Sequence, residues 1–173
     1  MSFLRWAVVA VPLALLLGFL SWRSAPTGAA NGWYQALGKP GFAPPDATFP
    51  LIWGVALVSA GLALAIILNA RGARGRWGAV ALFAVQFALG LIWAPLFFGA
   101  HHMGKALADL IAVLVLGGLT TFLFSRIRVG AALLMLPWLL WIAFASVLVY
   151  RVDQLNPDAE TLVPGAHTSQ VIG

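Results

Sequence analysis

Polar and charged positions along this chain fall in narrow bands, and the apolar stretches between them are long enough to cross a hydrocarbon layer, which needs roughly 20 helical residues. Five such stretches occur, at about Phe3–Trp22, Ala47–Ala70, Trp77–Ala100, Lys105–Ser125 and Val129–Tyr150. The pattern predicts an all-α fold, an integral membrane bundle of five transmembrane helices forming one domain over residues 1–156. The last four stretches are separated by very short connections, so chain neighbours are expected to run antiparallel and pack together. The connection over residues 23–46 is different: it is long, holds Pro26, Pro40, Pro44 and Pro45, and carries Trp33, Tyr34 and Phe42. It is expected to be ordered. Residues 157–173 turn polar, with Pro157, Pro164 and Gly165, and lack the apolar content to fold alone, so a disordered tail is expected.

The first stretch has a rival reading as a secretory signal, since Arg5 precedes an apolar run and small residues follow near Ala29 and Ala30. Trp22 and Arg23 close that run in the manner of an interfacial anchor, however, and the run is longer than a usual signal core. Retention of the helix is expected.

Composition fits lipid as the solvent: 62% of the 173 residues are hydrophobic and 9% charged, with a mean hydropathy of +0.96. The absence of cysteine removes disulfides, thiolate metal sites and cysteine nucleophiles. The net charge of +5 does not point to nucleic acid, because the basic residues mostly sit at the ends of apolar runs, where cytoplasmic loops and anionic lipid account for them. One side of the predicted bundle holds Arg5, Arg71, Arg74, Arg76, Arg126 and Arg128; the other holds Arg23, Lys39, Lys105 and Arg151. The bias predicts a cytoplasmic amino terminus and an outward-facing long loop and carboxyl terminus. Spanning helices favour a bacterial inner membrane, since barrels are the usual solution in an outer one.

Depth along each helix, at about 1.5 Å per residue, divides the tryptophans. Trp6, Trp22 and Trp77 fall at helix ends and read as an interfacial belt. Trp53, Trp93 and Trp141 fall at roughly 9 to 14 Å below the outer ends of three different helices. Trp138 continues the Trp141 face one turn deeper, and Ala145 opens space one turn later. Any single indole here could be core filling, but three at one depth, in a bundle rich in Ala and Gly, suit a large planar apolar ligand held by stacking. Apart from Asp109 near the interface, no charge lies in mid-membrane, which argues against a proton or ion relay.

Smaller signals carry bland expectations. His101 and His102 read as a solvated interfacial pair and no metal site is expected. Pro12, Pro95 and Pro137 should kink the first, third and fifth helices and free carbonyls that neighbours must satisfy. Gln86, the one mid-helix amide of the third helix, is expected to bridge helices. The small pairs Ala84 with Ala88 and Gly90 with Ala94 allow close approach within the bundle or between two copies.

Three ordered blocks resemble the tryptophan-rich sensory protein and translocator protein family, also called peripheral benzodiazepine receptors. The first comprises Trp33, Tyr34, Leu37, Lys39, Pro40, Phe42, Pro44 and Pro45, followed by Phe49, Ile52 and Trp53. The second is Gln86, Trp93, Pro95, Phe97, Phe98 and Gly99; the third is Pro137, Trp138, Trp141, Phe144 and Ala145, ending at Leu155 and Asn156. The resemblance covers about Trp33 to Asn156. It implies five helices, frequent homodimers, and binding of porphyrins and other tetrapyrroles in a pocket roofed by the first loop. It also implies binding of isoquinoline and benzodiazepine drugs, and of sterols in animal members. Gly90 and Val149 stand where the family usually has asparagines, which removes two amides that could anchor a ligand. The sterol-recognition pattern fails, because Arg151 follows Tyr150 directly and no further basic residue follows.

The expected function is a membrane receptor or carrier for porphyrins and related planar ligands, with a sensory or regulatory role and no resident cofactor. The expected ligand-binding set is Trp33, Tyr34, Pro44, Pro45, Trp53, Leu57, Gln86, Gly90, Trp93, Trp138, Trp141, Phe144 and Ala145. The alternative is an enzyme that degrades protoporphyrin with light and oxygen, in which Trp53 and Trp141 would be the redox-active groups. A structural or partner-binding membrane subunit is the third option.

Overall fold

The computed structural model describes residues 3–161. Its helices are α1 (Phe3–Arg23), α2 (Gly32–Ala36), α3 (Thr48–Asn69), α4 (Arg76–Ala94), α5 (Met103–Ile127), α6 (Val129–Leu134) and α7 (Leu136–Leu155). Five segments are long and apolar enough to cross a membrane: α1, α3, α4 with the π-helical turn Pro95–Gly99, α5, and α6 with α7.

Around the bundle, α1 packs on α3, α3 on α6 and α7, α7 on α5, and α5 on α4, while α4 closes the ring against α1. The chain neighbours α4 and α5 pack extensively, as expected, whereas α3 and α4 share a short loop and only about as much surface as α4 shares with α1. Small residues decide who approaches whom. The face that α1 buries consists of Ala7, Ala10, Ala14 and Gly18, whereas Leu4, Val8, Leu13, Leu16 and Phe19 are exposed where lipid would lie. On the facing helix, a Cβ added at Gly61 would come within 2.9 Å of the Val11 backbone, so a glycine is required where α1 and α3 cross. Of the two small pairs on α4, Ala84 and Ala88 face outward and Gly90 and Ala94 face inward.

The three helix-internal prolines have different outcomes. Pro12 is accommodated within α1. Pro95 has no N–H for the carbonyl of Leu91, and the Ser21 hydroxyl of α1 donates to that carbonyl instead at 2.5 Å. The chain then passes into the π-helical turn, closed by the Ala100 N–H on the Pro95 carbonyl at 2.9 Å. Pro137 breaks the fifth span rather than bending it: α6 ends at Leu134 and α7 begins at Leu136, with Pro137 in its first turn, where a missing donor costs least. At the break the Ser59 hydroxyl of α3 donates to the Leu134 carbonyl at 2.6 Å.

Charge divides between the ends. Arg5, Arg71, Arg74, Arg76, Arg126 and Arg128 lie at one end, and all five carboxylates lie in the half that carries the long loop. At the arginine end the Arg76 guanidinium donates to the Leu68 carbonyl at 3.1 Å and lies 4.6 Å over the exposed Trp77 ring, an interfacial pairing.

The long loop is built on Asn31. Its side-chain oxygen accepts from the Tyr34 N–H at 3.0 Å, capping α2, and its amide donates to the carbonyls of Pro26 at 2.7 Å and Phe98 at 3.0 Å. The start of the tail departs from the expected disorder. Residues Ala159–Thr161 form a 3₁₀ turn, and Ala159 is buried because its carbonyl accepts from the Trp33 indole at 2.8 Å. Residues 162–173 of the expected tail lie outside the described residues.

Candidate functional site

Each wall of the site follows from helical spacing. Phe49 and Trp53 are one turn apart on α3; Gly90 and Trp93 share a face of α4; Trp141 and Ala145 are one turn apart on α7. Together with Ser21 and Trp22 of α1 they surround an apolar cleft just below the loop end. A second cleft adjoins it toward the loop, lined by Tyr34, Lys39, Ala43 and Val149 and sharing Phe49, Trp93, Trp141 and Ala145 with the first. Each has a cavity volume of about 20 Å³, the space of about one water. The shared rings close the space by packing on one another and on their neighbours. Phe49 meets Trp141 edge-on at 5.6 Å, Trp141 stacks on Phe144 at 5.8 Å, and Trp93 stacks on Phe97 at 5.3 Å. A ligand larger than a water must move them.

The first cleft carries no charged residue. At the second, the Lys39 ammonium sits 4.3 Å from the centre of the Tyr34 ring. Burial, with the Asp46 carboxylate and its hydrogen bond adding to it, pushes the Tyr34 hydroxyl up to about 12. Tyr34 is therefore a neutral donor at any physiological pH.

Beneath the clefts lies a sealed floor. Trp138 is fully buried and its indole donates to the Gln86 side-chain oxygen at 2.9 Å, the interhelical bond expected of Gln86. Phe87 stacks on the Trp138 ring at 5.4 Å, and Trp53 lies against it at 5.3 Å. A Cβ at Gly90 would come within 2.9 Å of that ring, so this glycine gives Trp138 the room that an asparagine would take.

Above the clefts the first loop is clasped to the carboxyl-terminal turn. The Asn156 side chain brackets Gly38, accepting from its N–H at 2.8 Å and donating to its carbonyl at 2.9 Å. Trp33 is held by the Ala159 carbonyl and by His101, on which it stacks at 4.3 Å. Glu160 accepts from the Gly104 N–H at 3.3 Å and lies 4.0 Å from His102. His101 thus packs against the clasp, while His102 stands at its exposed edge, in keeping with an interfacial position.

Of the residues singled out from sequence, Trp53, Gly90, Trp93, Trp141 and Ala145 wall the first cleft and Tyr34 lines the second. Leu57, Gln86 and Trp138 are core residues outside both linings, with Leu57 packed where α1 presents Gly18. Trp33, Pro44, Pro45 and Phe144 are likewise outside the linings; Trp33 anchors the loop, and Phe144 backs Trp141. Trp22, read as interfacial belt, lines the first cleft and meets Phe98 edge-on at 5.9 Å. Phe49 and Ser21 were not singled out as site residues. The spacing of Phe49 to Trp53 could have found Phe49; nothing in the sequence marks Ser21, which comes to the site through the carbonyl that Pro95 frees.

Fold and site define a polytopic α-helical membrane protein with an aromatic cleft closed beneath a clasped loop. The model of the TspO/MBR family matches residues 8–155, and the chain belongs to that family. It is 35% identical over 148 residues to the tryptophan-rich protein TspO of Chlorobaculum tepidum, covering 85% of this chain and 93% of that one. It is 38% identical over 141 residues to the translocator protein of Sus scrofa, covering 80% and 83%. The tryptophan-rich sensory protein of Cereibacter sphaeroides is 34% identical over 148 residues, covering 83% and 92%. This is therefore an integral membrane protein of a sensory and translocator family.

Proposed function

We propose that the chain is a receptor or carrier for porphyrins and related planar apolar molecules, bound in the joined clefts beneath the first loop. The observation that carries this reading is the convergence of Phe49, Trp53, Trp93 and Trp141 from three spanning segments on one apolar space. Flat rings gain most from such walls, through contact area and offset stacking worth about 0.5–1.5 kcal/mol per aromatic pair beyond burial. Each cleft has room for about one water, so binding a planar ligand would part the rings, with the loop clasp governing entry and release.

Protoporphyrin titrated into purified protein in detergent, in darkness and then in light, tests the reading. Saturable absorbance and tryptophan-quenching changes are expected in darkness; their absence would remove the proposal. The light arm addresses the enzyme alternative, since Trp53 and Trp141 wall the same cleft. A Trp53→Phe, Trp141→Phe double variant keeps stacking surface and should bind within about tenfold of wild type. Repeated light-driven turnover by wild type and none by the variant would make the protein a porphyrin-degrading enzyme.

The reading includes an inner-membrane location with the amino terminus cytoplasmic, supported by the arginine-rich end, and a homodimer, for which the outward Ala84 and Ala88 offer a close-approach surface. Reporter fusions after Arg74 and after Asn156 should report opposite sides of the membrane. A cytoplasmic signal from the second would reverse the orientation.

A further inference from the structure

The end of the bundle opposite the long loop carries an arginine at every span. Arg5 lies in the first turn of α1, Arg71 follows the last residue of α3 by two positions, Arg76 opens α4, Arg126 is in the last turn of α5 and Arg128 directly precedes α6. Arg74 adds a sixth in the turn between α3 and α4, which Gly72 and Gly75 make tight with φ of +77° and +75°. All of them except Arg76 are exposed. Among the described residues none lies within 4.0 Å of an acidic side chain. Arg76 and Arg128 each donate to a backbone carbonyl at 3.1 Å, of Leu68 and of Ile127, and these bonds leave both charges uncompensated. The opposite end balances itself, with Arg23, Lys39, Lys105 and Arg151 set against Asp46, Asp109, Asp153, Asp158 and Glu160. Since a guanidinium is not deprotonated in proteins, the arginine end must find its counter-charge outside the chain.

We propose that this end is a collar for acidic phospholipids, in which phosphodiesters whose headgroups carry no cation of their own are held by the guanidiniums at the level of the span ends. Three features select this partner. The first is depth: every one of the six arginines stands within two residues of a helix end, and the exposed Trp77 ring lies 4.6 Å under Arg76, as an indole does at a membrane interface. The second is distribution. The charges fall on all five spans around the bundle rather than on one face, which matches a shell of lipid and not a single docked acidic protein. The third is charge and shape. A guanidinium meets a phosphate through two parallel hydrogen bonds, whereas a zwitterionic headgroup also brings an ammonium that the neighbouring arginines repel.

The test uses the full chain in phosphatidylcholine bilayers with trace spin-labelled phosphatidylglycerol or phosphatidylcholine, because the immobilised fraction of each label gives its relative affinity for the protein surface. At low salt wild type should favour phosphatidylglycerol by about tenfold. Joint substitution of Arg71→Gln, Arg74→Gln, Arg126→Gln and Arg128→Gln should bring the preference below about threefold with helical circular dichroism unchanged, since all four side chains are exposed. Arg23→Gln with Arg151→Gln, also exposed but at the other end, should leave the wild-type preference intact. Equal wild-type affinity for the two lipids would overturn the proposal before any variant is made, and would turn the collar toward a soluble acidic partner. Loss of the preference in the Arg23, Arg151 variant instead would also overturn it, by placing the acidic lipid at the loop end. Inorganic phosphate, compared with chloride at matched ionic strength, separates a lipid headgroup from a free anion. A preference that survives phosphate belongs to the lipid; one abolished by phosphate and not by chloride would assign the collar to the dissolved ion and remove the lipid.

Discussion

Two layers of aromatic residues lie one above the other in the bundle and differ in almost every respect that matters to function. In the lower layer Trp138 is fully buried, bonded to Gln86 and continued by Phe87, Phe83 and Phe124, successive rings stacking at 5.4 to 5.9 Å. In the upper layer Trp53 and Trp93 are half-buried and two clefts separate the rings. Residue type does not distinguish the layers, since both are built from indoles and phenyls. The difference is that Trp138 has an acceptor for its N–H and glycines at positions 90 and 117 that let α4 and α5 close around it. Where those supports are missing, the same side chain can be parted from its neighbours.

The largest effect that would break this contrast is on stability. Trp138→Ala should cost about 3–5 kcal/mol, as expected for emptying a large buried site, and Trp93→Ala distinctly less, because Trp93 is only partly buried. Denaturation by graded detergent, followed by circular dichroism, measures both; equal costs would erase the distinction between floor and cleft. Next in size is Gly90→Ala, whose methyl group must displace the Trp138 ring and should cost about 1–3 kcal/mol by overpacking. A neutral effect would mean that the floor yields easily and can join the cleft.

Asn156→Ala sharpens the comparison from above. It removes both bonds to Gly38, costs roughly 1 kcal/mol or less per bond, and should speed porphyrin release several-fold with helical content unchanged. Release kinetics matching wild type would show that the clasp does not govern the clefts. The smallest effect concerns Tyr34, whose folded-state pKa of about 12 exceeds its ordinary 10.0. The unfolded chain releases that proton first as pH rises, so the stabilisation is complete below pH 10 and is lost as pH approaches 12. Alkaline titration of tyrosinate absorbance should find this phenol among the last to ionise, and Tyr34→Phe should flatten the alkaline fall in stability.

Apolar run length placed all five spans within a few residues, because lipid imposes both helix length and apolarity with little room for tertiary override. Depth arithmetic likewise brought Trp53, Trp93 and Trp141 to one cleft. It also put Trp138 one turn deeper, where the ring lies, but did not reveal its seat, because the Gly90 notch that receives this ring becomes visible only when α4 and α7 are packed. The break at Met135 was foreshadowed by Pro137 but read as a kink. The packing of Leu57 is hidden from the sequence in the same way, since its partner is Gly18 on α1. The ordered turn at Ala159 had no signal in composition, since what orders it is a carbonyl, which every residue possesses, meeting the Trp33 indole.

The clasp also dictates an order of events during synthesis. Gly38 and Asn156 are 118 residues apart, and Trp33 and Ala159 are 126 apart, so the loop leaves the ribosome long before its partners exist. At about 5–20 residues per second that interval is on the order of ten seconds. Throughout it the loop has neither the bracket on Gly38 nor an acceptor for the Trp33 indole, while the earlier spans can already enter the bilayer. The roof of the site is therefore the last part of the molecule to become native, and a nascent chain arrested short of Asn156 can hold inserted helices beneath an unclosed loop.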